Sequence, residues 1–175
     1  MYGKLSKTLA IAALACAVAA CNAPDTIMEN GAITLYGNKV ALRVIGSPKA
    51  VIDADGSLVI DGKPIPITPA ERSLLAQYNQ SVRSVHDTGL AMGKAGIETA
   101  TKAGAAENSF APDKADKLAE AGAGRIQDLS LGICKAQAAI KAEQDQLATQ
   151  LAAFKPYAAI VSAADVADCA NDAKN

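Results

Sequence analysis

Tryptophan is absent from this chain, histidine occurs once, and aromatic residues fill only 3% of its 175 positions. Pockets that grip small molecules are lined largely by apolar and aromatic side chains, so a globular enzyme with a deep cleft is not expected. Neither charge sign dominates: 17 Lys and Arg stand against 18 Asp and Glu, and the pI is near 5.8. No basic run or patch exists to track a phosphate backbone, which argues against nucleic acid as a partner. One histidine and widely spaced cysteines leave no metal-ligand pattern, and no cofactor motif stands out. Beyond the N-terminal segment no apolar run reaches the length needed to span a bilayer.

Alanine accounts for much of what is present, and hydrophobic residues reach 50%. Alanine favours helices but offers little side-chain area to bury. The expectation is elongated, thinly packed helices.

The N-terminus has three zones. Lys4 and Lys7 give a positive start, and Thr8 to Ala20 is an uncharged apolar run. As a helix that run would span roughly 20 Å, against about 30 Å of bilayer core. It fits the apolar region of a signal peptide, not a membrane anchor. The run ends in Val18-Ala19-Ala20-Cys21, which resembles a bacterial lipobox: an aliphatic residue, two small ones, then the cysteine whose thiol accepts diacylglycerol. Residues 1–20 are thus expected to be removed and Cys21 to carry the lipid. Cys16 competes less well, because the large residue before it, Leu14, sits one place too late. Two or more acyl chains give stable anchoring. The membrane is therefore the first expected partner, and Asn22 after the cysteine suggests the outer membrane, facing the periplasm.

Cys134 and Cys169 remain, in a compartment that permits disulfides. A bridge between them is the expectation, with two separate buried thiols as the alternative.

Residues 21–31 read as a tether. From Ala32 to Ile67 apolar residues recur at every second position, punctuated by Gly37-Asn38, Asp55-Gly56 and Asp61-Gly62 turns. This pattern predicts an antiparallel meander of four or five short strands, with Pro64 and Pro66 at an edge. Thr68-Pro69-Ala70-Glu71 is a capping box. The helix it opens carries Leu74, Leu75, Tyr78, Val82 and Val85 at helical spacing, a natural cover for the meander. Gly89, Gly93 and Gly96 are expected to interrupt that helix, since each costs up to about 1 kcal/mol relative to alanine. They also mark an expected close approach of a neighbouring helix. A polar break follows from Gly104 to Pro112.

A second helix is predicted from about Asp113 to Phe154. Ile126, Ile133, Ile140, Leu147 and Phe154 recur every seven residues, a coiled-coil-like seam. Glu143 and Gln150 do not fit the companion positions, so an intramolecular antiparallel pair is favoured over a dimer zipper. A short last helix is predicted between Ala158 and Ala173. The fold class is α+β: a small N-terminal β-meander packed on long Ala-rich helices, with 32–67 and 68–175 forming one domain.

Two stretches together resemble the YggN-like (DUF2884) family of proteobacterial envelope proteins. One runs from Gly56 to Ile65 and continues through Thr68-Pro69-Ala70-Glu71-Arg72 to Tyr78. The other is Ile133-Cys134 with Phe154-Lys155-Pro156-Tyr157. The resemblance implies an exported, periplasm-facing protein with no established activity.

Candidate chemistry is sparse. His86-Asp87, near Ser81 and Ser84, lacks the triad pattern and reads as a solvated helix position. Asp53-Ala54-Asp55-Gly56 lacks the closing ligands of a calcium loop and reads as turn chemistry. No catalytic residue is assigned. The expected function is that of a non-enzymatic envelope lipoprotein working through protein or cell-wall contacts. The alternative is a periplasmic binding module holding a small or lipidic ligand between the helices at Gly89 to Gly96.

Overall fold

A computed structural model describes residues 25–108 and 111–173. The chain is α+β. Six short strands come first: β1 (Thr26–Met28), β2 (Ile33–Tyr36), β3 (Lys39–Leu42), β4 (Ala50–Ile52), β5 (Leu58–Ile60) and β6 (Lys63–Pro64). Helices α1 (Pro69–Asn108), α2 (Pro112–Gln150) and α3 (Ala163–Asp172) follow. The sheet is a pure antiparallel meander in sequence order. Gly37-Asn38 and Asp61-Gly62 make its tight turns, as the turn chemistry predicts, and β6 with Pro64 is an edge.

The sheet begins earlier than expected. Thr26 to Met28 pairs with Ile33 to Leu35 as β1, and Glu29–Gly31 forms a 3-10 turn between the strands. The tether reading of residues 25–31 is thereby corrected. Three residues carry too little alternation to be legible alone, and β1 exists because β2 supplies its ladder.

Period two sorts the sheet faces. Ile33, Leu35, Val40, Leu42, Ala50, Ile52 and Leu58 point inward and are buried. They meet Leu74, Leu75, Tyr78 and Val82 of α1, with Ile140 and Leu147 of α2. Asn79 reinforces the junction. Its amide donates to the Asn38 and Ile52 carbonyls, at 2.9 and 3.0 Å. The capping box at the start of α1 forms as predicted: the Glu71 amide donates to the Thr68 hydroxyl at 3.2 Å, and the Thr68 amide to the Glu71 carboxylate at 2.6 Å. Gly56 lets the β4–β5 turn touch this helix. It has a φ of +79°, and a Cβ there would lie 2.0 Å from the Arg72 carbonyl oxygen.

α1 is one continuous helix of 40 residues, about 60 Å long. The expected interruption at Gly89 to Gly96 does not occur, and helix continues through the expected polar break as far as Asn108. Three glycine penalties are small beside the packing of a long helix on its neighbour. The close approach is also elsewhere. A Cβ at Gly89, Gly93 or Gly96 would meet nothing within 4 Å, whereas one at Gly122 would lie 2.2 Å from the Thr99 side chain. The helix contact is therefore made by a glycine of α2 against a threonine of α1.

α1 and α2 form an antiparallel hairpin. Ser81 meets Glu143 near the sheet, and Glu98 meets Arg125 further out. Ile140 and Leu147 of the seven-residue seam are fully buried, while Ile126 and Ile133 are half-buried. α2 stops at Gln150, short of the predicted Phe154. Phe154 instead lies in a 3-10 turn, Ala152–Tyr157, that contains Pro156. There it packs edge-on to Tyr78, with ring centroids 5.8 Å apart, and lies 5.6 Å from Tyr157. α3 starts at Ala163, five residues later than predicted, because Ser162 and Asp165 form a second capping box.

Candidate functional site

Three local arrangements could carry function. The first is the tail clamp. α3 returns along α2 and brings the Cys134 and Cys169 sulfurs to 2.04 Å, with Cα atoms 5.5 Å apart. This is disulfide geometry. The 3-10 turn before α3 is fixed separately, since the Tyr157 hydroxyl donates to the Pro48 carbonyl at 2.6 Å. Gln144, fully buried, fills the gap between these anchors and bonds to the backbone of Ala158 and Val161.

The second is a polar cluster between sheet and helices. The Ser81 hydroxyl donates to Glu143 at 3.0 Å. The other Glu143 oxygen and the Tyr78 hydroxyl are buried without a hydrogen-bond partner. Burial raises the Glu143 pKa, and the Ser81 hydrogen bond opposes that rise. Burial also raises the Tyr78 phenol, with Glu143 and Glu29 adding to it. Glu29, which accepts from the Gln137 amide at 3.1 Å, is raised by burial and then by Asp165. The Glu143 mismatch in the heptad pattern thus marks a carboxyl facing α1.

The third is at the surface. A shallow groove of about 840 Å³ runs where the β3–β4 loop meets the tail. Val44, Ile45, Pro156, Ala159 and Ile160 supply apolar walls, and the charged residues lining it are Glu29, Arg43 and Lys49. Ile45 is fully exposed. The groove opens onto the sheet face that the helices leave uncovered. Tyr36, Lys39, Ala41, Lys49 and Val51 line a second depression there, of about 450 Å³. The Arg43 guanidinium donates to the Thr34 hydroxyl at 3.1 Å. It is also the main influence lowering the Tyr36 phenol.

The residues singled out from the sequence divide accordingly. Cys21, with Cys16 and the whole leader, lies outside the described residues. Cys134 and Cys169 are brought together. His86 and Ser81 are not: His86 Nδ1 lies 2.6 Å from the Thr26 hydroxyl and ties α1 to β1, while Ser81 serves Glu143. His86 is thus half-buried and not simply solvated. Asp53 pairs with Lys39 at 2.8 Å and accepts from the Ala54 amide, and Asp55 accepts from the Ser57 amide. Both carboxylates are occupied by turn and surface contacts, which hold their pKa values below the usual range. Among the described residues, no three His, Cys, Asp or Glu side chains converge as metal ligands. None of the described helices is long and apolar enough to cross a membrane.

Neither the groove nor the buried Gln144 carries a signal in the sequence. The only hint of the uncovered sheet face lay in Tyr36, Lys39, Ala41 and Arg43 alternating with the core residues of β2 and β3. The arrangement defines a small antiparallel sheet backed by a disulfide-clamped helical hairpin. The chain matches no family model, no curated protein and no solved structure.

Proposed function

We propose that this chain is an envelope lipoprotein, anchored through Cys21 and facing the periplasm, that acts by contact with a protein or the cell wall and not by catalysis. The lipobox Val18-Ala19-Ala20-Cys21 carries the reading. The cysteine pair supports it independently, because disulfides persist in oxidising compartments such as the periplasm. The resemblance to the YggN-like family points the same way, and Asn22 favours the outer membrane. The open groove suits a docking partner better than an enclosed substrate. Cys21→Ser should move the protein from the membrane fraction to the soluble periplasmic fraction, whereas unchanged detergent partitioning would refute lipidation at that residue.

The groove also favours a second reading, a binding module for a small or lipidic ligand. Its place would be between Val44 and Ile160, since Gly89, Gly93 and Gly96 face open space and offer no cleft. A thermal shift with envelope lipid extracts tests it, and an unchanged melting temperature counts against it.

A further inference from the structure

The helices cover one face of the sheet. On the other face the strand register aligns Ile27, Thr34, Ala41, Val51, Val59 and Pro64 in one row across all six strands. This row carries no charge; Thr34 and Ala41 in it are buried, Val51 and Val59 are half-buried, and Ile27 and Pro64 at its two ends are exposed. Tyr36 and Lys39 flank it on one side, and Arg43 and Lys49 on the other. Asp53 neutralises Lys39. Among the described residues Arg43 and Lys49 form no ion pair, with Glu29 lining the same groove and Asp61 paired through its backbone to Lys49. Two large apolar side chains project at the margins: Ile27, 62% exposed, and Ile45, fully exposed.

An uncharged centre, a tyrosine, cations on long stems and protruding isoleucines form the pattern of an interfacial surface. Lysine and arginine stems cover apolar area while their heads reach out to charge. Tyrosine suits the boundary between apolar and wet phases.

The tether narrows the choice of partner. Asp25 opens the described chain at edge strand β1, and Cys21 lies four residues before it. Four residues span at most about 14 Å. A lipid at Cys21 therefore holds the sheet close against the bilayer. A contrasting surface is the side of α1 around Ser73, Gln77, Gln80, Arg83, Ser84 and Asp87. Its single cation and single anion offset each other, and it has neither the tyrosine nor the protruding isoleucines of the sheet face.

We propose that the uncovered sheet face, with Arg43, Lys49, Tyr36 and the protruding Ile27 and Ile45, docks on the anionic lipid surface of the membrane that holds the chain. The proposal rests on the lipid-anchor reading for its geometry, but its charge argument is independent. Docking on this face turns the helical hairpin away from the lipid and leaves it available to a partner.

The test has two arms. In the first, the lipidated protein is placed in phosphatidylglycerol-containing vesicles and treated with a membrane-impermeant amine reagent. Lys49 should be protected relative to the same protein in neutral detergent, while Lys114 and Lys117 of α2 react equally in both. Unprotected Lys49 on protein whose Cys21 is acylated overturns the docking face and leaves the anchor standing. In the second arm, the Cys21→Ser chain is sedimented with phosphatidylglycerol or phosphatidylcholine vesicles. It should bind the anionic vesicles preferentially. Each cation near an anionic surface contributes about 1 kcal/mol, so Arg43→Ala with Lys49→Ala should weaken binding about 25-fold. Lys49→Glu alone, at an exposed site, guards against misfolding of the double variant. Equal binding to both vesicles, or no loss in either variant, overturns the proposal. Preferential binding by a protein whose native Cys21 proves unacylated supports the face while defeating the anchor.

Discussion

Gln144 and Val161 hold each other through two hydrogen bonds. The Gln144 amide nitrogen donates to the Val161 carbonyl at 3.0 Å, and the Val161 amide donates to the Gln144 side-chain oxygen at 3.2 Å. Both residues are fully buried. A side chain on α2 thus replaces the secondary structure missing between the 3-10 turn and α3.

Gln144→Leu would leave buried backbone groups of Val161 unpaired. Unsatisfied buried groups cost about 1–3 kcal/mol each, so a loss of about 2–4 kcal/mol is expected. For a chain of this size that lowers Tm by roughly 5–12 °C. Gln150→Leu, at an exposed site, should change stability by less than about 0.5 kcal/mol. Thermal unfolding of the two variants makes the comparison.

The cysteine pair closes a loop with a sequence separation of 35. In the chain-entropy model this contributes on the order of 4 kcal/mol. Urea unfolding with and without reductant should differ by that order, and non-reducing peptide mapping should recover a Cys134–Cys169 linked peptide. Two freely alkylated thiols would remove the clamp from the account.

Gly93 and Gly122 should respond oppositely to alanine. Gly93→Ala adds a methyl in open space on a helix and should stabilise by about 0.5–1 kcal/mol. Gly122→Ala presses on the Thr99 side chain and should destabilise by about 1–3 kcal/mol. Chemical denaturation reads both, and a stabilising Gly122→Ala would contradict the helix contact.

Glu143 gives stability a pH dependence of definite sign. Burial raises its folded-state pKa above the ordinary 4.5, so the folded chain holds this proton more tightly than the unfolded one. Its contribution is fully present below the ordinary value and is lost as pH rises toward the raised one. Asp53, Asp55, Glu71 and Asp165, all lowered, act oppositely and lose their contributions as pH falls. Glu143→Gln should therefore be more stable relative to the parent at neutral pH than at pH 4. A constant difference across that range would contradict the assignment.

The sequence reads well where local chemistry and tertiary structure agree. Gly37-Asn38, the Thr68–Glu71 box and the inward row of β2 and β3 each carry their own signal. It misleads where packing overrides propensity. Gly89, Gly93 and Gly96 look like breaks, yet α1 runs through them, because a helix with a long packed partner tolerates glycines on its open side. β1 was hidden since three residues have no period. Gln144 resembles any polar helix residue, as its partners lie 14 and 17 positions away in a segment without regular structure. The candidate site was the least legible, because a surface arises from strand register and from the face the helices leave bare.

The central claim is that the body is held on a membrane through Cys21. Intact mass of the mature protein purified from envelopes measures this directly. The account predicts a polypeptide beginning at Cys21 and heavier than its sequence by the mass of attached acyl groups. A polypeptide starting at another residue, or one beginning at an unmodified Cys21, would contradict it.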